Sequence, residues 1–255
     1  NTDTNMPVKK KTNKAPGSGM TAKQMKRRKP ISQEYMLSIE PLTDNQKVMF
    51  DAWDEGKMIY AYGVAGTGKT FVALYKALKE VLDDYSPYEK IYIVRSLVAT
   101  REIGFLPGDH EDKSLLYQIP YKNMVQAMFE MPDDNSYEML YDNLKAQESI
   151  SFWSTSFIRG TTLDNAIIII DECQNLNFHE LDSIITRVGQ DSKIIFCGDA
   201  AQTDLQKISE RTGIIDFQRI LQNMEEFSMI EFGIEDIVRS GLVKSYLINK
   251  INLGL

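Results

Sequence analysis

Cysteine and histidine are almost missing from this chain of 255 residues, which has two of each. Cys173 and Cys197 form no C-x-x-C pair, and His110 and His179 are too few and too scattered for a metal site. Neither a zinc-type cluster nor a disulfide framework is therefore expected. Both cysteines end apolar runs, so they are expected to be buried structural thiols, suited to a reducing, cytoplasmic setting. Long apolar runs are missing too. The longest aliphatic run, 166–170, is five residues, against ~18 for a membrane span, so no membrane contact is expected. The first thirty residues hold no apolar h-region, which argues against a secretory leader.

Positive charge is short as well, with a net −7, and what there is lies unevenly. Residues 1–30 carry nine Lys or Arg against one acid, Asp3, a balance of +8, while the remainder carries −15. That first stretch is Lys, Asn, Thr, Gly and Pro with almost no large apolar residue, so 1–30 is expected to be a disordered basic tail and 31–255 the folded domain. A basic arm on an acidic body suits a nucleic-acid contact. The arm has no aromatics for stacking on bases, and a solvated terminus that binds nothing is the alternative. Elsewhere, 43% hydrophobic and 25% charged residues are the proportions of a globular domain.

What the chain does have is a glycine-rich turn in a telling place. Residues 59–70 read Ile-Tyr-Ala-Tyr-Gly-Val-Ala-Gly-Thr-Gly-Lys-Thr, an apolar strand running into a turn and an amphipathic helix. Gly63, Gly68, Lys69 and Thr70 fill the P-loop pattern in register. Glycines let successive backbone N–H groups point into one concavity, and the helix adds its positive end. The expected phosphate cradle is Gly63, Val64, Ala65, Gly66, Thr67, Gly68, Lys69 and Thr70, with Lys69 on the outer phosphates and the Thr70 hydroxyl on Mg²⁺.

The rest of the chain alternates strands and helices. Strands are expected over 59–64, 91–95, 151–158, 166–170, 193–197 and 228–232. Helices are expected over 43–55, 70–82, 121–130, 137–146, 178–188, 235–238 and 242–251. This order predicts an α/β fold, a mostly parallel sheet with helices on both faces. The isoleucines 167–170 lead directly into Asp171 and Glu172, which makes Asp171 the second magnesium carboxylate and Glu172 the group that polarises the attacking water. The ordinary alternative is an acidic pair capping the next helix. Gly198-Asp199-Ala200-Ala201-Gln202 follows the next buried strand, placing Gln202 to sense the γ-phosphate or the water, or forming only a polar turn with Asp199 as an N-cap. Thr43 and Gln46 have the spacing of a capping box. The sharper reading of Gln46 is a contact to the adenine edge.

In this order, Gln46, the 63–70 turn, Asp-Glu-Cys-Gln at 171–174 and Gly-Asp-x-x-Gln at 198–202 resemble the first RecA-like domain of superfamily-one helicases. More closely, the chain resembles phage-type PhoH-like proteins. That likeness rests on Ile93-Val94-Arg95-Ser96, Gly104-Phe105-Leu106-Pro107-Gly108, Arg159-Gly160-Thr161-Thr162-Leu163, 169–175, and Asp236-Ile237-Val238-Arg239-Ser240. It covers roughly 43–250. Ser96 departs from the family's usual proline and Ser240-Gly241 from its usual His-Pro. The resemblance implies a RecA-like P-loop ATPase that uses ATP and Mg²⁺ and binds single-stranded RNA, to unwind it or to help degrade it. With no room for a second RecA-like domain, the arginine that hydrolysis needs must come from this domain or a neighbouring subunit. Arg239 and Arg159 are the first candidates, then Arg95 and Arg101. Ring-forming relatives imply a homo-oligomer, expected to be a hexamer.

Two further functions fit the same turn. One is a nucleotide-dependent nucleic-acid-binding ring, a switch or clamp with slow turnover. The other is a small-molecule kinase, which the 171–174 and 198–202 motifs fit poorly.

Overall fold

The protein's structure, a computed structural model, describes residues 31–95, 110–158 and 161–255. The expectations for the 1–30 tail, Ser96, Arg101, the 104–108 motif and Arg159 lie outside these residues.

Among the described residues, six strands form one sheet: β1 (Met58–Gly63), β2 (Lys90–Arg95), β3 (Ile150–Trp153), β4 (Ala166–Asp171), β5 (Lys193–Gly198) and β6 (Phe227–Phe232). Their order is β3-β2-β4-β5-β1-β6, and every pairing is parallel. One strand, β5, therefore stands between the P-loop strand and the strand ending in Asp171, as in RecA-like P-loop domains. The order explains the isoleucine run. β4 is flanked by β2 and β5 and covered on both faces, so all six of its residues are buried. Successive side chains point to opposite faces, and the core divides accordingly. Ile167 and Ile169 join one apolar cluster, Ile168 and Ile170 the other.

The first face is covered by α1 (Asp44–Asp54), α2 (Lys69–Val81), α3 (His110–Gln126) and α4 (Asp134–Ala146); a one-turn helix, α5 (Thr155–Ile158), follows β3. α2 has eight buried residues, among them Val72, Leu74 and Leu78, which join the apolar cluster on this face. The second face is covered by α6 (Phe178–Ile185), α7 (Gln202–Thr212) and α8 (Ile214–Gln222). Asn177 and Glu180 start α6 with a reciprocal capping box. The chain closes with α9 (Gly241–Asn252), which buries none of its residues.

Several expected bounds needed correction. The strand expected over 151–158 ends at Trp153, and the chain then turns into α5. α3 begins eleven residues before the expected 121 and carries Pro120 inside it. The expected helix at 235–238 is a single 3₁₀ turn, Ile234–Asp236. α7 and α8 were not expected at all. Both cysteines are free and buried, as expected, and burial pushes the Cys173 thiol up to about 12 and Cys197 well above its usual value.

Candidate nucleotide site

The carboxyl ends of the parallel strands open on one edge of the sheet, and the functional side chains converge there. Beyond β1 the chain turns with Gly63, Gly66 and Gly68 at φ 124°, 76° and 84°, a region that only glycine enters freely. Gly63 is also held by closeness: a Cβ there would lie 2.2 Å from the Phe232 carbonyl oxygen. Val64 N–H donates to that same carbonyl at 3.0 Å. The Thr67 hydroxyl donates to Val64 O at 2.9 Å, fixing the turn from within.

Lys69 is only 3% exposed. Its ammonium donates to Val64 O at 2.7 Å and to Thr67 Oγ1 at 3.1 Å, and pairs with Asp199 Oδ1 at 2.9 Å. The Thr70 hydroxyl donates to Asp171 Oδ1 at 2.8 Å, so the two predicted magnesium ligands meet although 101 residues separate them. A hydroxyl beside a carboxylate is the hard-oxygen donor set that Mg²⁺ takes. Burial pushes the Asp171 carboxyl up, opposed by the hydroxyls of Tyr121 and Thr70 and by Glu172 N–H.

Glu172 stands next along, at φ 54°. Its carboxyl is pushed up by burial first, then by the neighbouring charges of Asp199 and Asp171, against a hydrogen bond from Gln174. Gln174 Nε2 donates to Glu172 Oε2 at 2.8 Å, and its Oε1 accepts from Asp199 N–H at 3.2 Å. One amide thus ties the 171–174 motif to the 198–202 motif. Gln202 opens α7 just beyond, at the same edge of the sheet.

Gln46 faces the P-loop from α1. Thr43 caps this helix, its Oγ1 accepting from Gln46 N–H at 3.3 Å, but the capping box is not closed. The Gln46 side chain turns away, accepting from Leu42 N–H at 2.9 Å and donating to Thr67 O at 3.0 Å. It braces the cradle against the 42–46 segment. On the other flank, Val238 N–H donates to Gly66 O at 3.0 Å, and a Cβ on Gly66 would lie 3.1 Å from Arg239 Cγ. Arg239 therefore lies over the P-loop of its own chain, and it is exposed.

A cleft of about 590 Å³ joins these groups, a size typical of ligand sites. Lys69, Thr70, Asp171, Glu172, Asp199, Gln46, Arg239 and Arg95 line it, and Ile39, Phe50, Phe71 and Tyr75 give it an apolar side. Arg95 ends β2 opposite Asp171 in the sheet register. Sequence reasoning missed Tyr121, the bracing role of Gln174, and Asp236. Asp236 accepts from Asn45 Nδ2 at 2.7 Å and from Gly233 N–H at 2.9 Å, linking the Arg239 segment to the helix of Gln46.

The family model for PhoH-like protein matches residues 38–249. The chain belongs to the PhoH-like family. A PhoH-like protein of Mycobacterium leprae is 32% identical over 207 residues, covering 81% of this chain and 56% of the relative. One from Bacillus subtilis is 32% identical over 215 residues, covering 81% and 62%. The chain thus spans little more than half the length of these PhoH-like relatives. Among solved structures, the large terminase of a thermophilic bacteriophage, in complex with ADP, aligns with a TM-score of 0.49 and 13% identity, over 83% of this chain and 50% of that one. The family and the site geometry make this a P-loop NTPase of the PhoH-like type.

Proposed function

We propose that the chain is a Mg²⁺-dependent ATP hydrolase that couples turnover to binding or remodelling single-stranded nucleic acid, RNA in preference to DNA. The observation that carries this reading is the meeting of Thr70, Asp171 and Glu172 beside the buried Lys69. Lys69 and the backbone N–H groups of the cradle bind the polyphosphate. Thr70 and Asp171 are the residues that would hold magnesium, which supplies charge neutralisation on the outer phosphates when bound. Glu172 orients the attacking water and takes its proton, its raised carboxyl pKa making it a better base. Gln202 reports on the γ-phosphate or that water. Arg239 supplies positive charge from the same chain, and Arg159 is the further candidate. Gln46 reaches the adenine edge only by releasing Leu42 or Thr67. The assembly is a homo-oligomer, a hexameric ring, working in the cytoplasm; among the described residues no helix is long and apolar enough to cross a membrane. A monomer by light scattering with ATP present excludes the ring.

The deciding experiment is ATP hydrolysis with and without single-stranded RNA, on the wild-type chain and Lys69→Ala. Stimulation by RNA, and a loss of roughly 10²-fold or more in Lys69→Ala, are the expected results. A rate indifferent to both rejects the mechanism.

A nucleotide-dependent clamp with slow turnover is the second reading, favoured by the Lys69–Asp199 pair. An incoming phosphate must displace Asp199 from an ammonium that already has three partners within 3.1 Å. That exchange slows entry to the working state without preventing binding.

A further inference from the structure

Among the described residues, Asp171 accepts three hydrogen bonds, and only one comes from the P-loop pattern. Thr70 Oγ1 and Glu172 N–H donate to Oδ1, at 2.8 and 3.0 Å. The other oxygen, Oδ2, accepts from the Tyr121 hydroxyl at 2.7 Å. Tyr121 is 2% exposed, stands on α3 and packs its ring 5.6 Å from that of Phe152 on β3. A buried phenol needs some acceptor, and a backbone carbonyl usually serves. Here the hydroxyl goes to the carboxylate that faces the P-loop threonine. Donors on both oxygens fix the rotation of the carboxylate plane, so the edge that Asp171 presents toward Thr70 is set by a residue outside every P-loop motif.

We propose that Tyr121 is a positioning residue of the metal–nucleotide site, acting through Asp171 so that Thr70 and Asp171 receive Mg²⁺ as a preset pair. The proposal rests on reading the cleft as a magnesium–nucleotide site. Tyr121 touches neither phosphate nor water in this scheme. The same helix carries Tyr117, whose ring lies 5.6 Å from the Arg95 guanidinium, one helical turn before Tyr121. Two tyrosines of α3 thus address the groups that end two adjacent strands, β2 and β4.

Outer partners of a metal-binding carboxylate typically matter 10- to 100-fold. The test uses the full chain and a fluorescent ADP, its affinity measured in EDTA and across a magnesium series. Tyr121→Phe keeps the ring and removes the donor. It is expected to leave the EDTA affinity within about twofold and to raise the Mg²⁺ needed for half-maximal strengthening by roughly 10- to 100-fold. Phe152→Leu loosens the packing but keeps the hydroxyl, and is expected to lower the melting temperature with an unchanged magnesium requirement. The proposal is overturned by an unchanged magnesium requirement in Tyr121→Phe, by equal weakening with and without magnesium, or by a variant that does not fold, since the hydroxyl then serves the fold. Wild-type affinity that ignores magnesium rejects instead the underlying reading of the cleft as a magnesium–nucleotide site.

Discussion

Glu172 combines a left-handed backbone (φ 54°) with burial beside two other acids, Asp171 and Asp199. Each of these costs free energy, and for a non-glycine residue the backbone alone costs about 1–3 kcal/mol. Strain of this kind persists at sites where the chemistry needs the group. Glu172→Gln removes the charge and keeps the size. Hydrolysis should fall roughly 10²–10⁴-fold, the usual worth of a general base, while nucleotide affinity in a filter or fluorescence assay stays close to wild type. The same variant should melt about 2–4 °C higher, as ~1 kcal/mol does for a domain of this size. The pH dependence has a definite sign. An acid whose folded pKa is raised weakens the fold only where it is ionised, so the gain from Glu172→Gln is full above the raised pKa. It shrinks as pH falls through it toward the ordinary carboxylate range. A variant that is inactive but melts below wild type at pH ~8, above that range, contradicts this account.

At the scale of elements, the site depends on two flanking segments held to each other by Asp236. Its carboxyl is wholly buried by surface exposure. Burial works to raise its pKa, but the hydrogen bonds from Asn45, Gly233 and Thr43 outweigh it, and the pKa ends below the usual value. Asp236→Ala leaves Asn45 and Gly233 donors without their acceptor, at a cost of about 1–3 kcal/mol. It also frees the 237–239 segment that packs on Gly66, so nucleotide affinity should fall together with stability. The stabilising part is present above the unfolded carboxylate pKa and lost as pH falls through the lowered folded one, which chemical denaturation of both chains in steps from pH ~7 down to pH ~2 measures. The segment also marks what a sequence can show. The P-loop, the β4 isoleucines with Asp171 and Glu172, and the parallel α/β layout were legible because each is written in contiguous residues with a fixed period. Tyr121 and Asp236 were not, because their partners lie 50 and 191 residues away and nothing local to either distinguishes it. α7 was missed because Leu205 is its one wholly buried apolar anchor among the described residues of a polar stretch. Gln46 was half legible: its helix cap is local, but its grip on Thr67 is tertiary.

On the scale of the whole molecule, the charge distribution separates the motor from the clamp. Residues 31–255 carry −15 and residues 1–30 carry +8, so an RNA strand approaching residues 31–255 meets net repulsion that the first thirty residues reduce. Removing residues 1–30 should therefore weaken single-stranded RNA binding while RNA-free ATP hydrolysis is unchanged, since among the described residues every group lining the cleft lies between Ile39 and Arg239. The salt dependence identifies the cause. Each phosphate neutralised on a single strand contributes about 0.7 to the slope of log affinity against log salt, so the loss of about four such contacts lowers the slope by ~3. If turnover drives the protein along RNA, the shortened chain loses RNA stimulation of hydrolysis in step with RNA affinity, and saturating RNA at low salt restores it. If the protein is a clamp, the shortened chain loses RNA binding and hydrolysis was never stimulated. An equal slope in both chains places the RNA on the acidic domain itself and removes the tail from the mechanism.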